Sequence, residues 1–304
     1  MAQLKLKDLD MGVREYIDLL VTDVQEAETR TNKKYVIFTV TDGETVAKVK
    51  KWDSCLVDYE HAKNTVVTMN IKSGSYNGET TYDTDYAVFS DADIAQFIRS
   101  VPESINLMFA GIRSRIDNFS DLSLKAFMHG ILDMHEDKLK YWAAAKEMHH
   151  ALYGGLLYHM YRMGKAADAM CKIYQGVDSD LLVAGVYLHD IGKLHELDTN
   201  KLGTSEYTTE GYLLGHIAIG IEIVDAYVRN YGVSKEKALH LKHMIASHHG
   251  RKEWGAIVEP KTAEAQLLHQ LDMIDSKMYV FEENYATMET HSFTKTPMGQ
   301  IYKF

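Results

Sequence analysis

Near residue 90 the spacing of apolar residues changes from every second position to every third or fourth, which limits the chain to a β part followed by an α part. Before the switch, short runs rich in Val, Ile, Thr and Tyr alternate with turn residues. Strands are predicted at 16–24, 34–41, 45–52, 65–72 and roughly 80–89, with a short helix over 54–62. Asp42-Gly43, Ser73-Gly74 and Asn77-Gly78 supply turns. Five strands with a helix after the third is the order of an OB-fold β-barrel, a small barrel whose open face often binds single strands. The fold class expected is α+β and multidomain, with the barrel leading into an all-α region.

Asp91 is placed to cap a helix starting at Ala92. Ile94, Phe97, Ile98 and Val101 form one apolar stripe. Leu107, Phe109, Ile112 and Ile116 form a second, and Leu122, Leu124, Phe127 and Ile131 a third. Helices are expected to continue to about Glu283, interrupted by loops such as 198–208. The organisation expected is a barrel at 1–90, a helical bridge at 91–145, a third segment at 146–289 and a tail at 290–304. The stripes of the bridge suggest assembly into a homo-oligomer.

A net charge of -10 argues against tight nonspecific nucleic-acid binding by counterion release, although it leaves room for a local basic groove. Two isolated cysteines, Cys55 and Cys171, give neither a disulfide framework nor a zinc knuckle. The first residues lack the apolar core of a signal peptide, and runs such as 213–224 are broken by His216 and Glu222. A cytoplasmic protein with no membrane span is expected.

The α part carries a spaced series of imidazoles and carboxylates. Its centre is Tyr187-Leu188-His189-Asp190-Ile191-Gly192-Lys193, an apolar helix ending in an adjacent histidine and aspartate, with Gly192 read as a helix stop. A carboxylate has two oxygens and can bridge two cations, and an imidazole gives a directional nitrogen. Upstream, the segment from His149 to His159 leads into an amphipathic helix. His159 there is either a ligand or a core histidine bonded to a carbonyl. Downstream come His216, at the start of another apolar helix, and His248-His249-Gly250 at a helix end. Asp272 follows within a helix, with Asp275 as its alternative one turn on. Such a donor set suits Mn, Fe, Zn or Ni better than a purely magnesium site. Lys193 either contacts a phosphate or complements a helix dipole.

The order His159, His189-Asp190, His216, His248-His249, Asp272 resembles the HD-domain metallophosphohydrolases. A closer resemblance covers about Arg14 to Lys277. The barrel pattern, the phrases ending in His159 and His216, and His248-His249-Gly250 followed by Glu253-Trp254-Gly255 and Pro260-Lys261-Thr262 are similar to the YhaM-type 3′→5′ exoribonucleases. That resemblance implies an OB-fold joined to an HD domain, a requirement for divalent metal with manganese favoured, and trimming of single-stranded RNA, in some cases DNA, from the 3′ end. By motif it implies one metal on His159, His189, Asp190 and Asp272. A second would sit on Asp190, His216, His248 and His249, with Asp190 bridging. Lys193 would contact the scissile phosphate. Arg251 and Lys252 stand where that family is expected to have a more acidic or neutral stretch, and either grip the adjacent phosphate or are two exposed charges. His149, His150, His240, His243 and His269 are expected to be structural or supporting, with His150 the one nearest the pocket.

The stretch Thr41 to Asp53 resembles nucleic-acid-binding OB-folds of tRNA-binding and replication proteins. Lys48, Lys50 and Trp52 alternate along one strand and either form a phosphate-and-stacking platform or are a solvated face with Trp52 in the barrel core. Residues 1–95 hold 11 Lys+Arg against 17 Asp+Glu, so the platform would be local to an acidic domain. The function expected is a metal-dependent 3′→5′ exonuclease releasing nucleoside 5′-monophosphates. Two alternatives are a hydrolase of a small or cyclic nucleotide and a non-catalytic scaffold, the second opposed by the intact ligand series.

Overall fold

Apolar residues bury one face of the first four strands, the fifth adds only the half-buried Tyr82 and Ala87, and the five strands close on themselves. In a computed structural model that describes residues 4–29, 31–76, 79–98, 100–144, 152–200 and 205–304, they are β1 (Arg14–Glu28), β2 (Lys34–Thr41), β3 (Val46–Trp52), β4 (Thr65–Tyr76) and β5 (Glu79–Phe89). The order is β1-β2-β3-β5-β4, with β1 pairing antiparallel to both β2 and β4 and β3 meeting β5 in parallel. This is an OB-like closed barrel. Its core holds Ile17, Leu19, Val21, Val36, Phe38, Val40, Val49, Met69 and Ile71. The β2–β3 turn is tied by Asp42, whose carboxylate accepts from the amides of Glu44, Thr45 and Leu6 at 2.7–2.8 Å. The Asn77-Gly78 turn lies outside the described residues.

Two expected helices are different. Residues 54–62 form two 3-10 turns, Leu56–Asp58 and Glu60–Ala62, broken at Tyr59 with φ -132°. Nine residues with little helix-forming composition cannot repay nucleation. The helix expected from Ala92 is a 3-10 turn at Ile94–Phe97, where Phe97 packs beside Gly43. The chain divides into compact units at 1–99 and 100–304.

The second unit is helical: α1 (Ile105–Asp117), α2 (Leu122–Leu139), α3 (Gly155–Ile173), α4 (Ser179–Leu188), α5 (Lys193–Glu196), α6 (Thr209–Val228), α7 (Lys235–Ser247) and α8 (Ala263–Thr287). Asp121, Asp178, Thr208, Ser234 and Thr262 each cap a helix N-terminus through the side chain. The stripes of α1 and α2 share one core with α3–α8, so they are satisfied within the unit and supply no argument for assembly. Leu107 and Leu122 depart from those stripes and are exposed, with Met108 turned inward beside Phe109.

The expected 198–208 loop contains a short hairpin, β6 (Leu197–Thr199) with β7 (Ser205–Tyr207). Residues 290–304 hold another, β8 (Ser292–Thr296) with β9 (Gly299–Lys303), tied to α8 by Lys303 and Tyr285. The segment Thr209–Tyr231 is long and apolar enough to cross a membrane by length and composition. It is broken at Gly215 (φ 71°, ψ 158°), and Ile217, Ile219, Ile223, Val224 and Val228 are buried in the helical core.

Candidate metal centre

Four helix-derived positions converge on Asp190. Past its polar first residues, Ser179 and Asp180, the apolar helix α4 is buried on all sides from Leu181 to Leu188, as a helix without a polar face must be. It stops at Leu188, and a tight turn carries His189 and Asp190 into α5, with the amides of Ile191 and Lys193 bonded to the carbonyls of Leu188 and Asp190. Gly192 is not a helix stop. Its φ of -60° suits any residue, but an added Cβ would lie 2.0 Å from the His216 carbonyl oxygen, so glycine is needed for the close approach to α6. Gly215, in contrast, has a left-handed φ that interrupts α6 and frees the His216 amide from the helix ladder. Glu196 takes up both that amide, at 3.0 Å, and the His216 Nδ1, at 3.1 Å.

The seven predicted ligands form three overlapping groups whose donor atoms lie within 4.8 Å of one another: His159, His189 and Asp190; His189, His248 and Asp272; His216, His248 and His249. Asp190 stands between two sides. Its Oδ2 is 3.3 Å from His189 Nε2 and 3.9 Å from His159 Nε2, whereas its Oδ1 is 3.6 Å from His216 Nε2 and 3.8 Å from His248 Nε2. Asp272 Oδ1 is 3.3 Å from His159 Nε2. Asp275 lies on the other edge of that ring, 2.8 Å from Nδ1, and is itself held by Arg162 Nε at 2.6 Å. Asp272 therefore faces the cluster and Asp275 supports it from behind.

The outer nitrogens explain why the inner ones converge. His189 Nδ1 donates to the Val186 carbonyl at 2.8 Å and His248 Nδ1 to the Ile245 carbonyl at 2.7 Å. With Nδ1 committed in this way, and in His159 and His216 to carboxylates, Nε2 is left with a lone pair directed inward when the ring is neutral. The buried His216 Nε2 has no hydrogen-bond partner among the described residues, and neither has His249 Nδ1. An orphaned imidazole nitrogen beside a carboxylate is costly unless a cation completes it. The residues present thus fit divalent cations. Glu196 and the supporting role of Asp275 escaped the sequence. The only available sign for Asp275 was its i+3 spacing from Asp272, which puts both on one face of α8.

Electrostatics follow burial and pairing. Burial pushes the Asp190 carboxyl up, but Lys193 and His189 outweigh it and hold it well below the usual range. Lys193 Nζ is 2.7 Å from Asp190 Oδ2, and that charge raises the lysine despite its desolvation. Burial alone would lower His159; hydrogen bonds to Asp272 and Asp275 raise it to about 9. Burial drives His248 well below its ordinary value and lowers His249.

His159, Asp190, Lys193, His216, His248, His249 and Asp272 line a cavity of about 380 Å³, together with Glu196, Leu197, Tyr207, Trp254, His269, Met273 and Ser276, whereas His189 and Asp275 do not reach it. Lys193 opens α5, a single turn, and its ammonium is engaged by the Asp190 carboxylate at 2.7 Å. Arg251 does not line this cavity. It lies over the Trp254 ring, 5.1 Å from its centroid, beside a neighbouring cavity. Of the supporting histidines, His269 Nδ1 bonds the His248 carbonyl at 2.8 Å, His240 bonds Thr262, and His243 accepts from the Lys261 amide. His149 and His150 lie outside the described residues.

In the barrel unit, Lys48, Lys50 and Trp52 face away from the core that Val49 enters. Trp52 is 47% exposed, which removes the reading of it as barrel core. Its ring lies 4.7 Å from Tyr35, with Lys50 Nζ 5.7 Å from its centroid.

Solved structures similar to the barrel include the second OB-fold domain of replication protein A from Methanococcus maripaludis, at 13% identity over 30% of this chain and 96% of that one, TM-score 0.25. Another is the OB domain of a Thermoplasma acidophilum protein, at 14% identity over 33% of this chain and 92% of that one, TM-score 0.24. Neither likeness bears on what this barrel binds. Residues 156–277, from the start of α3 into α8, match the family model described as HD domain. With the ligand geometry inside those bounds, the helical unit contains an HD domain with the fold of the metal-dependent phosphohydrolases and His/Asp clusters able to coordinate one or two divalent ions.

Proposed function

We propose that the chain is a metal-dependent 3′→5′ exoribonuclease, acting also on single-stranded DNA, that releases nucleoside 5′-monophosphates in the cytoplasm. The observation that carries the hydrolytic part is the placement of the two Asp190 oxygens, one toward His159 and His189 and the other toward His216 and His248. One cation would be held by His159, His189, Asp190 and Asp272, the other by Asp190, His216, His248 and His249, with manganese favoured over Fe, Ni, Zn or Mg. Bound divalent cations supply an acidified water and neutralise phosphodiester charge. Lys193 adds a fixed positive charge at the cavity wall, available to a phosphate oxygen in exchange for Asp190. Glu196 and Asp275 hold the imidazoles of His216 and His159 in orientation.

The barrel favours a strand over a free nucleotide. Lys50, Trp52 and Tyr35 form a cation-and-ring surface of the kind that stacks bases, with Lys48 beside it. Incubation of 5′-labelled RNA and DNA oligomers with Mn²⁺, Mg²⁺, Zn²⁺ or Ni²⁺ tests the proposal. A ladder shortening from the 3′ end with release of 5′-monophosphates is expected. Oligomers left whole while small nucleotides are hydrolysed would assign the site to the alternative class. Asp190→Asn should abolish hydrolysis and cut bound metal, measured by elemental analysis, with the circular dichroism spectrum retained. Undiminished activity in that variant would remove the metal mechanism.

A further inference from the structure

Beside the metal cavity lies a second one, of about 520 Å³, and the two share the side chains of Trp254 and His269 as a common wall. The loop that forms the wall is tightly held. Gly250 (φ 80°) passes so close to His269 that a Cβ there would meet its ring at 2.2 Å. The amides of Trp254 and Ala256 both bond the Arg251 carbonyl, and that of Ile257 reaches back to Ala246. Trp254 is therefore fixed relative to His248 and His249, yet half of its surface is open to solvent. Its ring lies 6.0 Å from His269 at an interplanar angle of 35°, with the Arg251 guanidinium 5.1 Å from its centroid.

The chemistry of this second cavity does not suit a phosphate. One guanidinium is set against the carboxylates of Glu253 and Glu259. Gln266 and Gln270, one turn apart on α8, add amides able both to donate and to accept. A flat aromatic surface, a guanidinium plane and mixed hydrogen-bonding groups match a nucleobase. We infer that the cavity beyond Trp254 is a nucleobase subsite, which takes the base on one side of the phosphodiester held at the metal centre and stacks it on the indole. This rests on reading the metal cavity as a phosphodiesterase site. It makes Trp254 a specificity-determining residue, and it reassigns Arg251 from phosphate contact to base contact.

The test uses the full chain and RNA trinucleotides that differ only by an abasic residue at the 3′-terminal position or the one before it. Dissociation constants are read by anisotropy in Ca²⁺ and kcat/KM in Mn²⁺. The wild-type protein should discriminate against the abasic residue at one of the two positions by at least about fivefold, the low end expected for base–aromatic stacking. Trp254→Leu should reduce that ratio to less than about twofold, and Trp254→Phe should restore it. Equal binding of intact and abasic trinucleotides, or discrimination that persists in Trp254→Leu, would overturn the subsite. The binding arm stands without turnover. Base discrimination with no hydrolysis would thus sink the nuclease reading and keep the subsite, whereas hydrolysis without discrimination would do the reverse.

Discussion

His159 shows how a carboxylate pair can tune a ligand. Held between Asp272 and Asp275, its imidazolium persists to about pH 9 in the metal-free protein, against 6.5 for an unperturbed ring. Because the folded value is the higher one, the stabilisation is complete below pH 6.5 and is lost as pH rises toward 9. Thermal melts of chelated protein should therefore fall across that interval. A cation needs the neutral ring, so metal affinity should tighten as pH rises over the same range, with a proton released on binding that calorimetry in different buffers can count. Glu196 acts on His216 in a simpler way. Glu196→Gln keeps its size but weakens its hold on Nδ1, and metal affinity should drop by roughly 10–100-fold in a competition titration. The histidines and aspartates stood out in the sequence because polar groups inside apolar helical phrases require a reason. Their outer partners did not. Two are backbone carbonyls, which no sequence reveals, and Glu196 stands in a short charged stretch after Lys193 and His195 with no long helical period to mark it.

The junction of α4, α5 and α6 is where backbone packing sets the site. Gly192→Ala would drive a methyl group into the His216 carbonyl and the Gly220 amide, both backbone atoms that cannot swing aside. A loss of about 1–3 kcal/mol in urea unfolding is expected, together with weaker metal binding, since His216 must move. A glycine in that position looked from sequence like a stop signal, because close approach between distant elements is a tertiary fact. The long helices were legible, since 13 to 25 residues of regular apolar spacing leave little choice. The 3-10 turns after β3 and before α1 were not, because their few residues carry too short a pattern to tell one helical geometry from another. The hairpins β6–β7 and β8–β9 were missed for the same reason.

Each of the two units has its own hydrophobic core, and the chemistry proposed for them is separable. Trp52→Ala should weaken binding of long RNA by roughly fivefold or more in an anisotropy titration, and affect cleavage of a short model phosphodiester much less. Equal effects on both would assign the barrel face no role in holding strands. The number and succession of the barrel strands were readable from turn residues and alternation, whereas the exposure of Trp52 was not, because a tryptophan suits a core and a stacking surface equally well. The convergence on Asp190 has a mechanical consequence. Residues from α3, the α4–α5 turn, α6, the end of α7 and α8 would all be fastened to the same ions. The two ions together would act as a non-covalent staple across elements spread from α3 to α8, so that the tool for cutting substrate would also clamp the body that wields it.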